Sequence, residues 1–310
     1  MPTKSSILHS SFFLLHLRTL LVPLGSALVL IGLTPCVPAQ SPPAIKVSSI
    51  HDFIQHLQWS PDGKKFLFTR LRGGKMGLWT MNSDGTEAAP LLPKTTQPHF
   101  DGHWSPDGKH IVFVHDLFQG TDGKLQIDVV SADGSGQKNL LPNTGSFEES
   151  PRWSPDGKKI AWTSTRDKNQ DIWVMDADGK NPTRLTSDQA ADNCPAWSPD
   201  GKRLALASGR GGNFDIFAMN ADGGDVRRLT THPRMDYWPA WSPAGDRIAF
   251  TSNRDGNYEI YVMNADGAEQ RNITNHPGQD NFAAWSPDGR RLAFISNRGG
   301  GYDIYVAEIK

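Results

Sequence analysis

Charged side chains recur in this 310-residue chain at fixed distances from a repeated tryptophan, and their types suit the recognition of an opposite charge. Glu148, Asp192, Asp236 and Asp280 each stand five residues before such a tryptophan. Four carboxylates around one opening would form an acidic ring for a basic peptide or a cation, and the alternative is that each caps its own turn. Arg166, Arg210, Arg254 and Arg298 stand thirteen residues after a tryptophan, as does Arg72, and Leu117 breaks the series. A second set of acids, Asp171, Asp215, Glu259 and Asp303, follows the arginines closely enough to pair with them across a hairpin loop. His232 and His276 stand nine residues before a tryptophan. With the four acids and the four arginines they make up the expected partner-binding set.

The same inventory points away from catalysis. No Gly-x-Ser-x-Gly elbow is present, nor His-Glu-x-x-His, Cys-x-x-Cys or a glycine-rich phosphate loop. No catalytic residue, metal ligand or cofactor is therefore assigned, and a non-enzyme is expected. A metal-dependent polysaccharide lyase is the weakest alternative, with His56, His99 and His103 as the histidines near enough in pattern to converge. A glycan-binding or structural module is the other alternative.

These residues need a frame, and the frame is a repeat. Trp-Ser-Pro-Asp-Gly begins at Trp59, Trp104, Trp153, Trp197 and Trp285, with Trp-Ser-Pro-Ala-Gly at Trp241. The steps are 45, 49, 44, 44 and 44 residues, the period of propeller blades. Within each unit, short apolar and aromatic runs such as Arg247–Ser252 and Tyr258–Met263 are separated by Asp-Gly turns, a strong hairpin signal. Four antiparallel strands per unit follow, and an all-β, six-bladed propeller is predicted. The second strands are apolar throughout, as befits strands covered on both faces. The tryptophans are expected between blades. The last unit stops after its third strand, so a segment at about residues 45–50 should supply its missing outer strand and close the ring. The acids, arginines and histidines then fall on one face, the face of the loops that follow the second and outer strands. Blades 1 and 2 depart from the pattern: Ile54 and His99 replace the innermost acid, Gly77 and Gln126 replace the third-strand acid, and blade 2 has a longer loop from Asp116 to Lys124.

Residues 1–39 read as a signal peptide: Lys4 and Arg18, an apolar run from Thr19 to Leu33, and a small-residue end at Val37-Pro38-Ala39. An uncleaved anchor is the alternative, although the run is short for a span. The domain is then residues 40–310, with 30 basic and 33 acidic residues and a net charge of −3. No basic stripe suggests nucleic-acid binding. Cys194 has no partner cysteine in that segment and is expected as a small buried apolar group.

Pro-Ala-Trp-Ser-Pro-Asp-Gly-Lys-Arg (195–203), Ile-Ala-Phe-Thr-Ser-Asn-Arg (248–254) and Arg-Leu-Thr (228–230) resemble the repeat of the TolB family (WD40-like, or PD40, repeats), and the resemblance runs from about residue 45 to 310. It implies a propeller of the Tol–Pal envelope system that binds a protein or peptide, with the lipoprotein Pal as the partner of TolB itself. The α/β domain that precedes the propeller in TolB has no counterpart here, which puts the full Tol role in question. The expectation is a periplasmic or secreted monomer, free of a membrane span once the signal is removed.

Overall fold

A computed structural model describes residues 43–117, 124–141 and 145–309. The expected signal segment, residues 1–39, and most of the long blade-2 loop lie outside them. Six sheets of four antiparallel strands stand in chain order. Blade 5 shows the unit: innermost strand Asp236–Trp241, second strand Arg247–Ser252, third strand Glu259–Asn264, and a two-residue outer strand, Arg271–Asn272. The sixth blade takes its outer strand from the N-terminal end of the domain. Ala44–Lys46 pairs antiparallel with the third strand of that blade, Ile45 opposite Val306, and Val47 N–H extends the ladder to the Ile304 carbonyl at 2.9 Å. The predicted closure is therefore found, shorter than the predicted residues 45–50.

The core lies between blades. Second-strand residues such as Phe66, Phe113, Trp162 and Phe294 are wholly buried, and six apolar clusters each join two neighbouring blades. The tryptophans fill this layer, and some also bond across it. The indole N–H groups of Trp59, Trp197 and Trp285 donate to the carbonyls of Ala284, Arg152 and Ala240 in the preceding blade, at 3.1, 3.2 and 3.1 Å. Arg203, Arg247 and Arg291 lay their guanidinium groups over the tryptophan of the next blade at 4.6–5.0 Å, a cation–π contact.

The repeated turn is a hydrogen-bonded unit. Ser198 donates to Asp200 at 2.6 Å and accepts from the Arg203 N–H at 2.9 Å, while Asp200 accepts from the Lys202 N–H at 3.1 Å. In blade 5, where Ala244 stands in place of the aspartate, Asp246 accepts from Ser242 instead, at 2.7 Å. The glycine of the next turn answers a second demand beyond its positive φ. A Cβ on Gly179 (φ +91°) would lie 2.1 Å from the Leu140 carbonyl of the preceding blade, so only glycine lets the two backbones meet.

Candidate functional site

The repeated charges form pairs inside single blades. Arg210 reaches Asp192 at 2.7 Å, Arg254 reaches Asp236 at 2.8 Å, Arg298 reaches Asp280 at 2.6 Å and Arg166 reaches Glu148 at 3.1 Å. The register explains the pairing. Asp280 opens the innermost strand opposite Ser296, the last residue of the second strand, and Arg298 follows two residues later. All four acids are at most 2% exposed. They lie beneath the mouth of the channel, with their charge turned to the arginines and away from solvent.

The third-strand acids, which the hairpin reading had placed against those arginines, hold the outer strand. Asp171 and Asp215 pair with Arg184 and Arg228, each at 2.7 Å. Glu259 accepts from Asn257 and from the His276 backbone N–H, both at 2.9 Å. Asp303 grips the closing segment through Lys46 at 2.7 Å, Ser48 at 3.0 Å and the Ile50 N–H at 2.5 Å. The rings of His232 and His276 serve their own turns, each Nδ1 accepting a backbone N–H two residues on, at 3.1 and 2.9 Å.

In blade 2 the pattern gives way to a buried polar cluster: His115 lies 2.9 Å from Asp128 and 3.1 Å from the Gln97 side chain, and His99 stands opposite His115. His56, His99 and His103 have separate partners. His56 lies by Asp101, His99 by the Gln97 carbonyl, and His103 accepts the Trp153 N–H. Among the described residues no group of three or more His, Cys, Asp or Glu has metal-ligand spacing.

What faces the channel is set by a different position. Three residues before every tryptophan the innermost strand bulges, and the residue there is left-handed without being glycine: His56, Asp101, Ser150, Cys194, Trp238 and Phe282, with φ between +50° and +56°. The ladder shifts register at each of these points. A bulge re-aims side chains, and here it turns them toward one another around the axis. Ser150 donates to Asp101 at 2.9 Å and lies 3.9 Å from the Cys194 sulfur. Trp238 and Phe282 have ring centres 4.3 Å apart, and His56 meets Phe282 edge-on at 5.0 Å. Sequence reasoning passed over this position. Its signal is variation: within the innermost strand it is the position that carries six different residue types.

On the loop-face side of these residues lies a cavity of about 350 Å³. Phe100, Phe214, Tyr237, Trp238 and Tyr258 give it an aromatic wall, and Gln55, Glu149, Gln170 and Asn193 are polar. A second cavity of about 300 Å³, at the end formed by the tryptophans and Ser-Pro turns, shares none of its lining. Asp101 is buried, which raises its carboxyl, but Arg152 at 2.8 Å, His56 and Ser150 outweigh burial and bring it below the ordinary range. Burial pushes His56 down. Glu149 has no such compensation: burial, then the charges of Asp101 and Glu148, push its carboxyl up to about 7.

That shift has a testable sign. A carboxyl raised from 4.5 in the unfolded chain to about 7 in the fold contributes full stability below pH 4.5 and loses it as pH climbs to 7. At pH 8 the ionised group costs about 3 kcal/mol. Glu149→Gln is therefore expected to be more stable than the parent by that amount at pH 8, with the gap closing toward pH 5. Denaturant midpoints at the two pH values check it, and a pH-independent difference would show that the carboxylate is fully hydrated.

Residues 91–238 match the profile of the TolB β-propeller domain, and residues 212–305 that of the Tricorn protease N-terminal β-propeller domain. The structure of a putative TolB from Agrobacterium tumefaciens is 25% identical, with a TM-score of 0.66 over 84% of this chain and 91% of that one. The chain has the fold of the TolB-type β-propeller, and residues 91–238 carry its profile. TolB from Acinetobacter baumannii is 21% identical, TM-score 0.61, over 83% of this chain and 64% of that one. An oligogalacturonate lyase in complex with manganese is 14% identical, TM-score 0.62, over 88% and 95%. No curated protein matches.

The expectation of a non-enzyme is corrected by these comparisons. Solved structures sharing the TolB-type fold include that lyase, a gluconolactonase from Xanthomonas campestris and a puromycin hydrolase, at 14%, 18% and 17% identity. Those likenesses extend to the fold alone, and the fold is one on which catalysis occurs. Absence of these motifs does not decide the matter, because one fold hosts many functions.

Proposed function

We propose that this chain is an exported propeller that takes a protein or peptide segment of the cell envelope at the loop-face mouth of its channel, in a role like that of TolB with a Pal-like lipoprotein. The observation that carries the reading is the 350 Å³ cavity, whose lining changes from blade to blade while the Arg–carboxylate pairs beneath it repeat. A closed ring holds that lining rigid, so little ordering entropy is lost on docking. The Nidogen/Laminin complex, whose propeller fold matches at TM-score 0.60 and 16% identity, is a precedent for protein docking on this architecture. Export rests on the pattern of residues 1–39, and a periplasmic or secreted location follows from it. Among the described residues no helix is long and apolar enough to cross a membrane.

The test is a crosslinking pull-down from envelope extract with residues 40–310 as bait, beside an Asn193→Ala/Tyr258→Ala variant of equal melting temperature. The expected result is one segment crosslinked to the loops around Phe214 and Met235 by the parent, with capture reduced about 10-fold in the variant. Equal capture with crosslinks elsewhere would move the site off this mouth.

A further inference from the structure

The cavity at the mouth combines two chemistries. Aromatic faces line it on both flanks of blade 3: Phe100 on blade 2, and Phe214, Tyr237, Trp238 and Tyr258 on blades 4 and 5. Between these flanks stands Glu149 of blade 3, one residue beyond Glu148, whose own charge is taken by Arg166 at 3.1 Å. The Glu149 carboxylate has no hydrogen-bond or ion-pair partner among the described residues. The nearby guanidinium of Arg152 is committed to Asp101 at 2.8 Å. The other titratable groups facing Glu149 do not offset it: Asp101 and Glu148 are acids, the Cys194 thiol is pushed up to about 12 by burial, Tyr237 is raised and neutral, and His56 and His103 are held uncharged by burial. The ionised cavity thus carries one negative charge more than its own cations offset, beside a wall of π-faces.

We propose that the cavity receives a basic side chain, a lysine or arginine of the docking segment, with its stem along the aromatic wall and its charged head on Glu149. The inference rests on the binding role above and names the chemistry of the partner. A cation satisfies both features at once. The ring faces attract it, the apolar stem covers the aromatic surface, and the head supplies the counter-charge that the fold omits. A volume of about 350 Å³ suits one or two side chains and excludes a folded domain. A neutral sugar would also use the aromatic and amide groups, but it would leave the carboxylate as uncompensated as before.

The experiment titrates acetyl-Ala-Lys-Ala-amide, its norleucine counterpart and chitotriose into residues 40–310, by calorimetry at pH 6 and pH 8, with the parent and with Glu149→Gln. The lysine peptide is expected to bind at least about 10-fold tighter than the norleucine peptide at pH 8. The preference should shrink to about 3-fold or less at pH 6, where Glu149 is largely protonated, and in Glu149→Gln at both pH values. Retained melting behaviour in the variant would assign the loss to the missing charge. Equal binding of the two peptides, binding of chitotriose alone, or no binding up to about 10 mM would each overturn the proposal. The two readings fail separately. A segment crosslinked at the mouth that the lysine peptide does not displace would keep the docking role and remove the basic side chain. Glu149-dependent lysine binding with no crosslink at the mouth would do the reverse.

Discussion

Arg298→Ala is expected to cost about 3–5 kcal/mol of stability at pH 8, and markedly less at pH 5. The arginine lies 2.6 Å from Asp280, which is wholly buried, and also donates to Ser296 at 2.9 Å. Removing it strands a carboxylate that cannot reach water. Burial already holds Asp280 above the ordinary carboxyl range despite its partner. Without the guanidinium that carboxyl rises further, so acid relieves the damage by protonation. A group raised in this way stabilises the fold at low pH and penalises it as pH increases, which sets the sign. Asp280→Ala combined with Arg298→Ala should be less damaging at pH 8 than Arg298→Ala alone, because no lone charge remains. Denaturant midpoints of the two variants at both pH values decide the matter. A cost that is the same at pH 5 and pH 8 would place the loss in the packing of the guanidinium over Phe294 and Tyr305, which it covers at 5.1 Å.

Deleting residues 44–50 is expected to cost at least about 4 kcal/mol and to lower the cooperativity of unfolding. The segment adds only three ladder residues, but it brings Val47 and Ile50 against the apolar cluster between blades 6 and 1 and supplies all the polar partners of Asp303 quoted above. Its loss takes the Lys46, Ser48 and Ile50 partners from that aspartate and bares the edge of blade 6. Asp303→Ala should reproduce much of the effect with the chain intact. Trimming the residues before Ala44 should change little, and a melting temperature equal to that of the 44–50 deletion would refute closure by this segment.

The number of blades, the order of their strands and the circular closure were legible because every unit repeats the same succession of apolar runs and Asp-Gly turns. The pairing of the arginines was not. Arg254 and Glu259 flank one loop in the sequence, yet Arg254 turns to Asp236, because strand register sets Asp236 opposite Ser252 and brings the arginine over it. Glu148 and Glu149 illustrate the other difficulty. They are neighbours of the same chemical type, but strand alternation sends one into the frame and the other into the channel. The bulge that follows them carries no glycine to mark it.

The six left-handed bulge residues have a consequence for how such a molecule changes over time. A left-handed backbone costs about 1–2 kcal/mol for most side chains and less for Asp or Asn, and none of the six residues found there is branched at Cβ. Substitution among unbranched types therefore alters the chemistry of the channel while keeping the backbone of the bulge. Specificity and foldability are written in separate columns of the repeat. Duplication can copy the second column faithfully while the first diverges, so one scaffold can acquire new ligands without passing through unfolded intermediates.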